Sequence, residues 1–224
     1  MKKWTADQIK MVVFDVDGTL YSQHTLRPKM MLDLLQYYAV RPFRINELLV
    51  LYHFRKEREK NALAGKKNIS ENQYLWCQQK VNVSLEEIKA VVDKWLVNRP
   101  LKYLSHCIYG QAVEFIDGIK KKGIKTAVYS DYNADKKLSA MNLKVDYIFS
   151  SEQKEIDELK PSPKGLNFIA SHLDMEKEHI LYIGDREEFD GACAASAGMS
   201  HLILDQKTAN TFYEKLKHEF DLGE

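Results

Sequence analysis

Five short apolar runs constrain this chain more than any other feature: residues 11–16, 126–130, 147–149, 180–184 and 202–204. Their apolar residues are mostly consecutive rather than alternating, which suits strands buried on both faces. Helical patterns stand between the later runs, at residues 112–122 closed by Gly123, then 134–141, 163–172 and around 192–197. Strand alternating with helix argues for a parallel sheet wrapped by helices, so the expected class is α/β.

One long interval breaks that alternation. Residues 23–106 carry helix signals and no convincing strand. Ser70 with Gln73 and Ser84 with Glu87 have the spacing of capping boxes and predict two helix starts. Residues 28–38 and 45–62 show periodic apolar positions, and Gly65 with Asn68 marks a break after the second of these. The expected division is residues 1–22 and 107–224 as an α/β core, with residues 23–106 as an inserted unit of about four helices. The mixed-sign run from Arg55 to Lys60 reads as a solvated helix face, and Lys120 to Lys122 as cations at a helix C-terminus.

Composition narrows the partners. Among 224 residues, 33 Lys and Arg balance 32 Asp and Glu, so no global field recommends nucleic acid or an anionic membrane. Any anion site must be local. Cys77, Cys107 and Cys193 are odd in number and form no CxxC pair, which fits reduced packing residues. No stretch nears the roughly 18 to 20 apolar residues of a membrane span. Lys2 and Lys3 precede no signal-peptide core, so the expectation is a cytoplasmic protein.

The chemistry concentrates where the runs end. Asp15-Val16-Asp17-Gly18-Thr19-Leu20 places two carboxylates, one residue apart, at the end of the first run. In open α/β sheets ligands sit beyond the carboxyl ends of strands, where loop amides are available to an anion. The second run ends in Ser130-Asp131, Lys160-Pro161-Ser162-Pro163 precedes a helix, and the fourth run leads into Gly184-Asp185 with Asp190 downstream. Two prolines stiffen the approach to Lys160 and let Pro163 start the following helix.

Together these strings resemble the four motifs of the haloacid dehalogenase-like hydrolases, a DxDGT(L/V) element, a strand-end serine, a KPxP element and GDxxxxD with a later Ala197-Gly198-Met199. The resemblance implies a Rossmann-like parallel sheet and, in residues 23–106, a small helical cap of the C1 type that closes over the site. It also implies a Mg²⁺-dependent phosphatase. Asp15 would be the nucleophile that becomes phosphorylated, and Asp17 the general acid and base. Ser130, Asp131 and Lys160 would bind phosphate, while Asp15, the Asp17 carbonyl and Asp185 would hold the metal. Asp190 would hold a metal-bound water or orient Lys160. Asp17 argues against a dehalogenase, which lacks a catalytic aspartate at that position. A carboxylate at Asp131 beside phosphate must point away, leaving its backbone amide as the useful group. The substrate implied is a small phosphorylated metabolite. A phosphomutase and a non-catalytic phosphate-binding protein are the rival readings. Candidate cap contacts are His24, Arg55, Lys66 and Tyr103, and the role of Arg186 is open.

Overall fold

The computed structural model describes residues 4–223, so Lys2 and Lys3 lie outside the described residues. Five strands form one sheet: β1 (Met11–Phe14), β2 (Lys125–Ser130), β3 (Tyr147–Ser150), β4 (Ile180–Gly184) and β5 (Ser200–Ile203). Their order is 3-2-1-4-5 and every neighbouring pair is parallel. The unbroken apolar character of β1 has a direct cause. Val12 and Phe14 enter one core layer while Met11 and Val13 enter the other. Both faces are therefore covered, as a wrapped parallel sheet requires.

Between β1 and β2 the chain forms α1 (Gln23–Ala39), α2 (Glu47–Leu63), α3 (Ile69–Gln78), α4 (Leu85–Val92) and α5 (Leu101–Leu104). A wide π-helical stretch, Asp93–Asn98, carries α4 toward α5. This helical insertion has its own apolar cluster, built on Val50, Phe54, Cys77, Ile88 and Trp95. The Ser84 box forms as expected: its hydroxyl accepts from the Glu87 amide at 3.2 Å and donates to the Glu87 carboxylate at 3.3 Å. Ser70 does not start a helix. α3 begins at Ile69, after Asn68 in the left-handed region (φ 57°), and a core carboxylate, Asp157, accepts from the Ser70 amide at 2.8 Å. α1 likewise begins earlier than its apolar periodicity suggested, because the Ser22 hydroxyl accepts from the Thr25 amide and leaves Pro28 inside the helix.

The remaining helices are α6 (Gly110–Lys121), α7 (Asp135–Ala140), α8 (Lys164–His172), α9 (Ala192–Ala197) and α10 (Ala209–Glu219). α6 and α10 cover one face of the sheet through Phe115, Ile119, Tyr213 and Leu216. α8 and α9 cover the other through Leu166, Ile169, Cys193 and Ala194. All three cysteines are free and buried. Among the described residues no helix is long and apolar enough to cross a membrane.

Candidate active site

The sheet order creates the site. From β1 the chain crosses to β2 on one side and later to β4 on the other, which opens a crevice at the carboxyl end of β1. Phe14 is in register with Val128 and Ile183, so Asp15 emerges between the ends of β2 and β4, and its amide donates to the Ile183 carbonyl at 2.8 Å. Ser130 ends β2, and Asp185 follows Gly184 at the end of β4. Residues far apart in sequence thus meet at one sheet edge.

Lys160 is the hub. Its ammonium donates to Asp15 Oδ1 and Asp190 Oδ1, each at 2.6 Å, and to the Tyr182 hydroxyl at 3.2 Å. The Tyr182 hydroxyl donates to Asp190 Oδ1 at 2.8 Å, and the amides of Asp185 and Arg186 donate to Asp190 Oδ2 at 3.3 and 3.1 Å. Asp190 sits in a π-helical turn, Glu187–Gly191, which aims it back at β4. Gly184 permits that approach, since a Cβ there would lie 2.4 Å from the Asp190 Cβ. Gly18, at φ 98°, has the same function opposite Asp185, where a Cβ would lie 2.2 Å from a carboxylate oxygen.

Asp15, Asp185 and Asp190 each offer a carboxylate oxygen, and these oxygens lie within 4.8 Å of one another. Such a group suits a hard cation, and magnesium favours oxygen ligands while keeping several waters. The electrostatics agree. Burial is the largest influence on Asp15 and pushes its carboxyl well above the ordinary value; Lys160 opposes this, while the Asp190 and Asp185 charges reinforce it. Burial also lifts Asp185, to about 6, against a hydrogen bond from Gln206 at 2.6 Å. Asp190 stays low because Lys160, Tyr182 and backbone amides outweigh its desolvation. Lys160 remains charged, since Asp15 and Asp190 more than offset its own burial. One lysine among two buried carboxylates and a half-buried one leaves negative charge that a divalent cation would balance.

Asp17 stands apart from this group. Its carboxylate accepts from Lys137 at 2.5 and 2.6 Å and from the Tyr21 hydroxyl. Burial favours its neutral form, but Lys137 and Tyr21 prevail and hold its pKa below the ordinary value. The Asp131 carboxylate accepts from the Ser151 hydroxyl at 3.0 Å and the Lys160 amide at 3.2 Å. It braces the loop that presents Lys160. Ser130 is buried, and its oxygen accepts from the Tyr132 amide at 3.4 Å.

A cavity of about 490 Å³ opens over these residues, roofed from the insertion by Arg27, Arg55 and Arg58. The Arg55–Lys60 run is therefore not wholly a solvated face. Arg58 is 4% exposed, donates to the Asp131 carbonyl at 2.5 Å and stacks on Tyr132, with its guanidinium carbon 3.9 Å from the ring centre. Two of its nitrogens have no hydrogen-bond partner among the described residues. Arg186 bridges to Glu59 of α2 at 3.0 Å, a further tie between insertion and core. Of the other candidates, His24 and Lys66 are exposed and do not line the cavity, and Tyr103 donates to Asp33 at 2.8 Å. Lys137, Tyr21, Tyr182, Arg58 and Gln206 escaped sequence reasoning. Only Tyr182 carried a signal, a hydroxyl inside an otherwise apolar strand.

No curated protein sequence matches the chain. Among solved structures, the chain is similar to the L-2-haloacid dehalogenase from Xanthobacter autotrophicus, with a TM-score of 0.58 at 18% identity over 95% of this chain and 84% of that one. The 2-haloacid dehalogenase from Pseudomonas syringae pv. Tomato gives 0.57 at 18% identity, covering 87% and 86%. A β-phosphoglucomutase from Clostridium difficile gives 0.58 at 16% identity, covering 95% and 97%. At these identities the likeness is one of fold. The family model for haloacid dehalogenase-like hydrolases matches residues 9–198, and its match spans both halves of the α/β core together with the helical insertion between them. The chain belongs to the haloacid dehalogenase-like hydrolases.

Proposed function

We propose that the chain hydrolyses phosphomonoesters through an aspartyl-phosphate on Asp15. The observation that carries the reading is the division between the two aspartates. Asp15 is fixed among Lys160, Asp185 and Asp190, whereas Asp17 faces the same cavity with a cation of its own, Lys137. Halide leaves a haloacid without taking a proton, whereas the leaving oxygen of a phosphate ester needs a group that protonates it.

An Asp15 oxygen attacks phosphorus, the bond from phosphorus to the leaving oxygen breaks, and Asp17 supplies the proton that oxygen takes. Asp17 then removes a proton from water, whose oxygen attacks phosphorus and breaks the Asp15–phosphorus bond, giving inorganic phosphate. Lys160 and the Ser130 hydroxyl offset charge on the phosphoryl oxygens. Magnesium, held by Asp15, Asp185 and Asp190 or an overlapping set, would supply Lewis-acid charge compensation. As it stands, Asp17 is ionised and engaged on both oxygens, so acid catalysis requires Lys137 to withdraw and Asp17 to take up a proton from solvent before it can pass that proton to the leaving oxygen. The insertion acts as a cap that excludes water during the first transfer.

A screen of phosphorylated metabolites with Mg²⁺, assayed for free phosphate, tests the reading. Phosphate release is expected. An isomeric phosphate without net release would assign a mutase, and halide release from a 2-haloacid without phosphatase activity would overturn the proposal.

A further inference from the structure

A second cavity, of about 650 Å³, lies between the helical insertion and the core and joins the first. The two share Asp17, Gln23, Arg27, Arg55, Glu59 and Tyr132 at their junction. Asp15, Ser130, Lys160, Asp185 and Asp190 line the first cavity and not the second. The inner chamber therefore begins at the residue assigned to protonate the leaving oxygen and extends away from the nucleophile. Beyond that junction its wall is mostly apolar, with Leu26, Met30, Leu34, Leu51, Trp95 and Leu96, and carries Lys56 and Lys137 as charged groups. Met31 and Tyr52, 57% and 54% exposed, stand at its edge and open it toward solvent.

We infer that the substrate is an amphiphilic phosphomonoester whose leaving group carries a largely apolar alkyl or aryl body, seated in this chamber. The inference rests on the phosphatase reading above and adds to it the chemical class of the leaving group. A chamber of this size lies within the range that holds a small organic ligand, about 300–1,000 Å³. Most of the surface lining the chamber is apolar, so a sugar or nucleotide would set much of its hydroxyl and ring-nitrogen surface against carbon, and buried polar groups without partners are disfavoured. Arg27 and Arg55 meet the substrate where its phosphoester joins the apolar body, and the chamber beyond receives what remains.

The test is a homologous series of primary alkyl phosphates, from ethyl to octyl, with phenyl phosphate, glycerol phosphate, a hexose phosphate and acetyl phosphate alongside. Each methylene that enters the chamber should raise kcat/KM by up to about fourfold until the chamber is full, and phenyl phosphate should exceed glycerol phosphate. Met31→Glu, at an exposed wall position, should flatten the dependence on chain length. Turnover of acetyl phosphate and of the esters with no gain along the series, or a preference for the polyol phosphates, would overturn the inference and leave phosphomonoester hydrolysis standing. An undiminished slope in Met31→Glu would overturn the assignment to this chamber. Absence of phosphate release from every compound, acetyl phosphate included, would remove the hydrolytic reading and this inference with it.

Discussion

The α/β core and the helical insertion solve opposite problems at the same crevice. In the core, Asp190 accepts four hydrogen bonds, and Lys160 contacts two carboxylates and a tyrosine, so each site group is held from several directions. In the insertion, Arg58 is buried with two nitrogens unpartnered. Among the described residues, every large hydrophobic side chain that is exposed, from Met31 to Leu75, belongs to the insertion. The contrast separates preorganisation for a fixed reaction from surface left available to a variable ligand. Substitutions in the core should therefore cost chemistry, and substitutions in the insertion should cost recognition or local stability.

The largest effect expected is at Asp15. Asp15→Asn keeps the shape of the side chain but cannot form an acyl phosphate, and kcat should fall on the order of 10⁴-fold or more. Lys160 keeps Asp190 as partner, so the melting temperature should change by only a few degrees. Near-normal phosphate release from folded Asp15→Asn protein would break the comparison at its core.

Removing divalent cation comes next. With chelator, activity should drop on the order of 10³-fold, return with Mg²⁺ and return poorly with Ca²⁺, whose larger and looser coordination shell spoils in-line geometry. Undiminished activity in excess chelator would show that Lys160 alone balances Asp15, Asp185 and Asp190.

Arg58→Gln sharpens the comparison from the insertion side. The substitution removes a charge that roofs the nucleophile's cavity and ties α2 to the Asp131 carbonyl. The expected cost is about 10- to 100-fold in kcat/KM, the scale of a charge-assisted contact to an anion. If Arg58 only ties insertion to core, kcat/KM should hold while thermal stability falls.

The two regions were also unequally legible in the sequence. The core could be read because its chemistry is local in the chain: Asp15 and Asp17 end one apolar run, Ser130 another, and Asp185 follows a third. Backbone geometry then carries each residue to the sheet edge. What could not be read is long-range pairing. Lys137 reaches Asp17 across 120 positions, and Arg58 reaches Asp131 across 73, the latter from a mixed-sign run that reads as a solvated face. Ser70 failed for a related reason, since the group that caps α3 is Asp157 and not a neighbour in sequence. Ser84, whose partner is three residues away, was legible.

The smallest effect expected lies at Asp33, which fastens α1 to the segment returning to the core. Its carboxylate accepts from Arg99 Nε at 2.8 Å, Lys102 Nζ at 3.0 Å and the Tyr103 hydroxyl at 2.8 Å. Burial alone would raise its pKa, but these three hydrogen bonds prevail and lower it from 3.8 to about 2. A folded-state value below the unfolded one means that the interaction stabilises the protein fully above the unfolded value, near 3.8, and is lost as pH falls through about 2. Arg99 and Lys102 are 43% and 44% exposed, so solvent screens the pair and the contribution at neutral pH is reduced to about 1–2 kcal/mol. Asp33→Asn should lower unfolding stability by that amount at pH 7 in urea titrations, and the gap from wild type should narrow by roughly half by pH 3. Phosphate release by the folded variant should stay near wild type, because Asp33 does not line either cavity. A gap that stays constant from pH 7 to pH 3 would mean that the side chain acts by shape rather than charge. A large loss of activity without loss of stability would instead tie the position of α1 to the chemistry and erase the division between the two regions.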